Sequence, residues 1–285
     1  MARSDQLRIG ISQCLLGDEV RHDGGHKRDP YLVGTVGRLV EWVPVCPEVE
    51  VGLGTPREPI RLVRDSAGAT GVRLFSRSGT DLTKQMRRFS RARARALAKE
   101  RLSGFVLKKD SPSCGMERVK VWSDHTKGAS QRSGRGIFAA ELLGEHRNLP
   151  VEEEGRLHDP VIRENFFERV FAYRSIRSLF SKRWTVGTLV RFHTAHKMTL
   201  MAHSLERYRE LGRLVADAKA LERPELARRY EDEFMHAMKT NATPGRHTNV
   251  LLHAVGHFKR ELTSVSREEL LDVIEDYRQR LVPRI

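Results

Sequence analysis

The chain has 285 residues, 39% of them hydrophobic and 31% charged, with a formal net charge of +14 at pH 7. That length favours two domains or one large one, and the composition is that of a folded chain with enough material to bury a core. No run approaches the roughly 18 consecutive apolar residues of a membrane span, and the first six residues carry no apolar leader core, so a soluble cytoplasmic protein with no membrane partner is expected.

From residue 7 to about 150 the pattern alternates strands and helices. Apolar runs at 7–12, 42–46, 103–107 and 148–151 predict strands, and helical periodicity covers 30–41, 81–101 and 135–144. Residues 60–75 predict a β-hairpin around a Gly-rich turn. Alternation of this kind argues for an α/β domain with a mostly parallel, three-layer sheet.

The polar, turn-rich stretch 151–160 marks a boundary, giving an α/β domain over 1–155 and a second, all-α domain over 156–285. Asp159-Pro160 is a helix start signal for a helix to about 173, and further helices are expected at 185–218, 223–239, 246–262 and 266–281. The basic excess is uneven: residues 1–150 hold 27 Lys+Arg against 17 Asp+Glu, and 151–285 hold 24 against 20. A basic surface favours a polyanionic partner, above all nucleic acid, because neutralised phosphates release counterions; a basic enzyme without such a partner has the same composition.

Cys14, Cys46 and Cys114 are the only cysteines in the sequence. Each follows a strand-like run where the chain turns, which predicts three thiolates beyond the carboxyl ends of parallel strands, where such sheets bind ligands. Their odd number argues against a disulfide framework in a reducing compartment. Three thiolates are one fewer than a closed zinc site or a fully ligated iron–sulfur cluster requires, leaving an open position. Three ordinary buried cysteines fit the same count.

Around Cys46, Pro47 and the glycines Gly52 and Gly54 hold a turn, and Glu48 is a candidate general acid or base if buried. Lys108, Ser111 and Ser113 supply a cation and two hydroxyls beside Cys114, suited to orienting water and stabilising negative charge. Arg21, His22 and Asp23 after Cys14 are candidates for binding a substrate's polar edge.

Cys14-Leu-Leu-Gly with Val20-Arg-His-Asp-Gly, Cys46-Pro-Glu with Gly52-Leu and Pro56-Arg, and Ser111-Pro-Ser-Cys114-Gly together resemble the thiouracil desulfidase (TudS) family, in order and separation across about 150 residues. The C-terminal half, with Arg163-Glu164-Asn165-Phe166 and Phe192-His-Thr-Ala-His-Lys197, resembles the helical domain fused to that module in tRNA thiouridine desulfidases. The resemblance implies a 4Fe-4S cluster held by Cys14, Cys46 and Cys114 with its fourth iron open. It also implies Glu48 as the proton-shuttling carboxylate and Ser111 as the hydroxyl near the cluster, in a non-redox removal of sulfur from 4-thiouridine in tRNA with release of sulfide.

Arg88, Arg91, Arg95 and Lys99 recur at helical spacing, opposite an expected apolar stripe of Leu82, Met86, Phe89, Ala92 and Ala96. They form a candidate RNA-binding ridge, joined by Lys197, Arg246 and Lys259 in the second domain. His193, His196 and His203, with His253 and His257, fall at helical intervals that also occur in metal sites, although core or surface roles are commoner. Phe192, Tyr208 and Phe258 are expected in the core. Besides a tRNA desulfidase, the sequence admits a desulfidase of free thiouracil or thionucleotides, a non-catalytic RNA-binding redox sensor, and a structural zinc protein.

Overall fold

The chain's first apolar run becomes the strand around which its principal sheet is built. The computed structural model describes residues 6–64, 71–125 and 128–282. Along the first part run β1 (Leu7–Ser12), α1 (Pro30–Gly34), β2 (Val40–Val45), α2 (Pro47–Glu50), β3 (Ile60–Arg64), β4 (Val72–Ser76) and α3 (Thr83–Leu97). They are followed by β5 (Gly104–Leu107), β6 (Val119–Trp122), β7 (Ser130–Gly134), α4 (Ile137–Glu145) and β8 (Val151–Glu153).

One sheet has the order β2-β1-β5-β8 and is parallel throughout. Strands β1, β5 and β8 are largely buried, as expected when helices cover both faces, while the edge strand β2 leaves Pro44 exposed. Gly10 in β1 is required by close packing: a Cβ there would stand 2.2 Å from the Phe105 ring of β5, which packs in turn on Phe138 of α4 at 5.9 Å between centroids.

The remaining strands form a separate mixed sheet, β4-β3-β6-β7. Its inner side buries Leu62, Leu74, Val119 and Val121 against Leu82 and Met86 at the start of α3 and Ile137 of α4. The hairpin expected over 60–75 is β3 paired antiparallel with β4; its Gly-rich turn at 65–70 lies outside the described residues.

Other boundaries move for local reasons. The helix expected over 30–41 is only α1, capped by Asp29 at Leu32 N–H (3.0 Å), and a 3-10 turn at Val36–Arg38; Gly34 and Gly37 punctuate it and β2 begins at Val40. The expected strand at 148–151 is β8, and residues 151–154 are buried despite their charge. On α3 the inward stripe is Leu82, Met86, Ser90, Ala94 and Leu97, while Ala92 and Ala96 face solvent.

Contacts divide the chain into two units, residues 1–166 and 167–285, with the division inside α5 (Pro160–Phe180). Asp159 caps that helix, its carboxylate accepting from Val161 and Ile162 N–H. The second unit continues with α6 (Val186–Ala195), α7 (Lys197–His203), α8 (Leu205–Ala216), α9 (Arg223–Met238), α10 (Pro244–His257) and α11 (Ser264–Arg278). The stretch 185–218 is thus three helices, interrupted at His196 and at Ser204, whose hydroxyl caps α8. None of the described helices is long and apolar enough to cross a membrane.

Candidate active site

Cys14 lies in a 3-10 turn directly after β1, Cys46 is the residue before α2 directly after β2, and Cys114 sits in a turn beyond β5. The parallel order places β1 at the point where chain connections run to opposite sides, and ligands bind beyond the strand ends there. All three cysteines line one cavity of about 420 Å³, together with Ser12, Arg21, Glu48, Arg57, Lys108 and Ser111.

Each cysteine is held by backbone as well as by its strand. Lys27 N–H donates to Cys14 O (2.8 Å), folding the 20–27 loop back over the first cysteine. Cys46 N–H donates to Glu50 Oε1 (3.0 Å). Ser111 Oγ accepts from Ser113 N–H (3.2 Å) and Cys114 N–H (3.0 Å), which fixes the third turn and leaves the Ser111 hydroxyl proton free to donate into the cavity. The N-terminus of α4 completes it: Gly136 N–H donates to Gly115 O, Ile137 N–H to Pro112 O and Ala139 N–H to Ser113 O. A Cβ at Gly136 would lie 2.4 Å from Ser113 O, so only glycine allows this approach.

Burial governs the thiols. It pushes Cys14 up to about 11, against the pull of the Lys108 cation, and raises Cys46 and Cys114 as well; a Ser12 hydrogen bond opposes the shift at Cys114. Bare, these are neutral thiols at pH 7, and a bound cationic group would be needed to hold them as thiolates. Among the described residues no three His, Cys, Asp or Glu side chains stand close enough to hold one metal ion.

Glu48 is the carboxylate at the cavity. Ser113 Oγ donates to its Oε1 (3.0 Å) and Arg57 Nη2 donates to its Oε2, with the Arg57 side chain only 5% exposed. Arg57 Nη1 also donates to Val20 O (2.9 Å) and Gly54 O (2.8 Å), and its backbone N–H to His22 O, so one buried guanidinium joins the loop after Cys14 to the loop after Cys46. Lys108 N–H donates to Ser12 Oγ (2.9 Å), and Lys108 Nζ donates to Glu154 Oε1 (2.5 Å), whose other oxygen takes Lys109 N–H (2.7 Å).

The expected site residues therefore separate. Arg21, Glu48, Lys108 and Ser111 join the cysteines on the cavity wall. Ser113 is fully buried behind it, touching Glu48, and Asp23 lies off the wall, bound to Gly25 N–H and 3.5 Å from Arg21. Arg57, noted in the sequence only as part of the Pro56-Arg motif, and Ser12 and Glu154 were given no role by sequence reading, because their partners lie 9, 96 and 46 residues away, with no local spacing to betray them.

A family profile described as 2-thiouracil desulfurase matches residues 9–154, just over half of the chain and the whole of the cavity wall. The chain belongs to the 2-thiouracil desulfurase family. A second profile, for a protein family of unknown function (DUF1722), matches residues 197–285. This desulfurase-family chain is 31% identical over 159 residues to YbbK of Bacillus subtilis, covering 53% of itself and 98% of that protein. It is 32% identical over 112 residues to YbgA of Escherichia coli, covering 39% of itself and 66% of that protein, slightly under two thirds of its length. Among solved structures it matches a [4Fe-4S]-dependent thiouracil desulfidase, TudS, at 30% identity and a TM-score of 0.42, covering 54% of this chain and 95% of that one.

The basic ridge and the second unit are arranged differently from expectation. Arg91 and Arg95 pair with Glu141 (3.1 Å) and Glu145 (3.8 Å) of α4, so protein carboxylates supply their counter-charge. Arg88 and Lys99 are exposed with no ion pair among the described residues. Arg246 donates to His203 O and Asn241 O, Lys197 is half-buried, and Lys259 is exposed. His193 bonds the Tyr230 hydroxyl and stacks on Tyr208, and His196 stacks on Phe192. His203, 1% exposed, bridges Thr240 O (2.6 Å) and Glu168 (3.2 Å). Phe258, expected in the core, is 56% exposed.

Proposed function

We propose that this protein is a desulfidase acting on a thiolated uracil, that Cys14, Cys46 and Cys114 hold a 4Fe-4S cluster in the cavity, and that the substrate uracil is 4-thiouridine in tRNA. The observation that carries the reading is the convergence of three thiols with a carboxylate, Glu48, fixed on both oxygens. The donor set fits such a cluster: three sulfur ligands on the wall of one cavity and no fourth cysteine. An iron without a protein ligand supplies a Lewis acid for the soft sulfur of a thiocarbonyl.

The chain's own residues do the rest. Glu48, oriented by Arg57 and Ser113, takes a proton from the water that attacks the thiocarbonyl carbon. Ser111, whose oxygen already accepts two N–H groups, presents its proton to developing negative charge. Arg21 and Lys108 place positive charge on the cavity wall. The +14 charge supports a polyanionic substrate; of the proposed RNA-contact cations, Arg88, Lys99 and Lys259 are exposed with no ion pair among the described residues, Arg91, Arg95 and Arg246 are exposed but bonded within the protein, and Lys197 is half-buried.

The deciding experiment is anaerobic reconstitution with iron and sulfide, then incubation with thiolated tRNA and separately with free thiouracil, following thiocarbonyl absorbance and sulfide. Turnover of both, or of tRNA alone, supports the full reading; turnover of thiouracil alone removes tRNA from it. No sulfide from either with the cluster assembled ends the desulfidase reading.

A further inference from the structure

The second sheet has an outer side that the desulfidase cavity does not use. Strand alternation turns Arg61 of β3, Arg73 and Phe75 of β4, and Lys120 and Trp122 of β6 to the side opposite Leu62, Leu74 and Val121. These side chains are stacked in layers. The Arg61 guanidinium lies 4.6 Å from the Trp122 ring centre with Lys120 Nζ at 5.9 Å, and the Arg73 guanidinium lies 4.8 Å from the Phe75 ring, which stacks on His125 at 5.6 Å.

The face reaches solvent. Arg73, His125 and Arg132 keep 43, 38 and 49% of their side-chain surface, and Lys120 is exposed. Beneath them Val63, paired in register with Arg73 and Trp122, is buried, so the cluster is a packed layer rather than scattered side chains. Acidic neighbours are Asp81 on Arg73, Asp110 on Arg132, and Asp124 at 3.8 Å from His125.

This face also meets the cavity: Asp110, which lines the cavity and holds a left-handed backbone, φ 60°, accepts from Arg132 of β7 (2.6 Å), the residue paired with Lys120. Aromatic rings and guanidinium planes on an open sheet, interleaved with cations, are the surface on which unpaired bases stack while phosphates are neutralised.

We infer that the outer face of the β4-β3-β6-β7 sheet binds an unpaired stretch of RNA flanking the target nucleotide, with bases stacked over Trp122 and Phe75 and phosphates met by Arg61, Arg73 and Lys120. The inference rests on the tRNA reading above and deepens it. A nucleotide must leave its stack to enter the cavity, and a platform at the rim holds its neighbours once they are parted.

The test uses the full-length reconstituted protein, with Kd for tRNA measured against salt and turnover measured on thiolated tRNA and on free thiouracil. Trp122→Ala is expected to weaken tRNA binding roughly tenfold, with Trp122→Phe restoring most of it. Lys120→Gln, at an exposed position that does not threaten folding, is expected to reduce the salt slope by about one. Both variants keep wild-type turnover of free thiouracil, and a single-stranded oligonucleotide competes better than a duplex of the same length. Unchanged tRNA affinity and salt slope in both variants, or equal competition by duplex, overturns the platform while leaving the tRNA reading intact. A wild-type protein that turns over thiouracil but neither binds nor turns over tRNA overturns both.

Discussion

Cys14, Cys46 and Cys114 are separated by 32 and 68 residues and share one cavity, whereas His193, His196 and His203 fall within eleven residues and each takes a partner of its own. Both sets are metal donors at suggestive intervals. The cysteines converge because parallel strands deliver their carboxyl ends to one edge, so topology rather than spacing brings them together. The histidines have helical spacing, but α6 ends and α7 begins between them, and the rings are spent on stacking and on carbonyl and hydroxyl partners.

The sharpest way to break that contrast is to remove a cysteine. Cys114→Ala is expected to abolish both sulfide release and the visible absorbance of the reconstituted centre; retention of either would show that the cavity thiols are not the ligands. Glu48→Gln comes next: turnover should fall about 10²–10⁴-fold with iron content unchanged, and an equal loss of iron would make Glu48 a structural residue. For the histidines, His203→Ala is expected to lower stability by about 1–3 kcal/mol, since it removes a buried ring and its bonds to the Thr240 carbonyl and the half-buried Glu168 carboxylate, yet leave metal content unaltered. Thermal melts and metal analysis on one sample decide it.

The smallest effect concerns Glu153, whose carboxyl is raised above its ordinary range chiefly by burial. A carboxyl raised on folding destabilises increasingly as pH climbs from its unfolded value of about 4.5 through the raised one. Glu153→Gln keeps an acceptor for Met116 N–H and should raise the melting temperature by about 2 °C at pH 8 with no change at pH 4. A lower melting temperature at pH 8 would mean that the charge is needed by its neighbours.

What was legible in the sequence follows the same division. The runs ending at Ser12, Val45 and Leu107 are apolar enough to announce buried parallel strands, and the cysteines beyond them could be placed at one edge. Of the second sheet only the β3-β4 hairpin was legible, because β7 is Ser-Gln-Arg-Ser-Gly, polar and exposed, and β6 offers only four residues. Charge misled at β8 and the residue after it, where Glu152 and Glu154 are buried with Arg156 and Lys108 reaching them. Glu48 was visible as a carboxylate near a cysteine, but the guanidinium that aims it was not, since only the folded loops bring Arg57 to Val20 and Glu48 together.

The hydrogen bond from Gly136 to Gly115 has a consequence for how the chain tolerates change in length. Everything from Met116 to Arg135 departs from and returns to that one closed point, so the excursion carrying β6 and β7 is a side branch off the third cysteine's support. Residues added or trimmed between Trp122 and Ser130, beyond the part of β6 that packs in the core, alter the branch and leave its root in place. Relatives can therefore differ in the size of this sheet while keeping the third cysteine at the same spot, much as a drawer can be lengthened without moving its front.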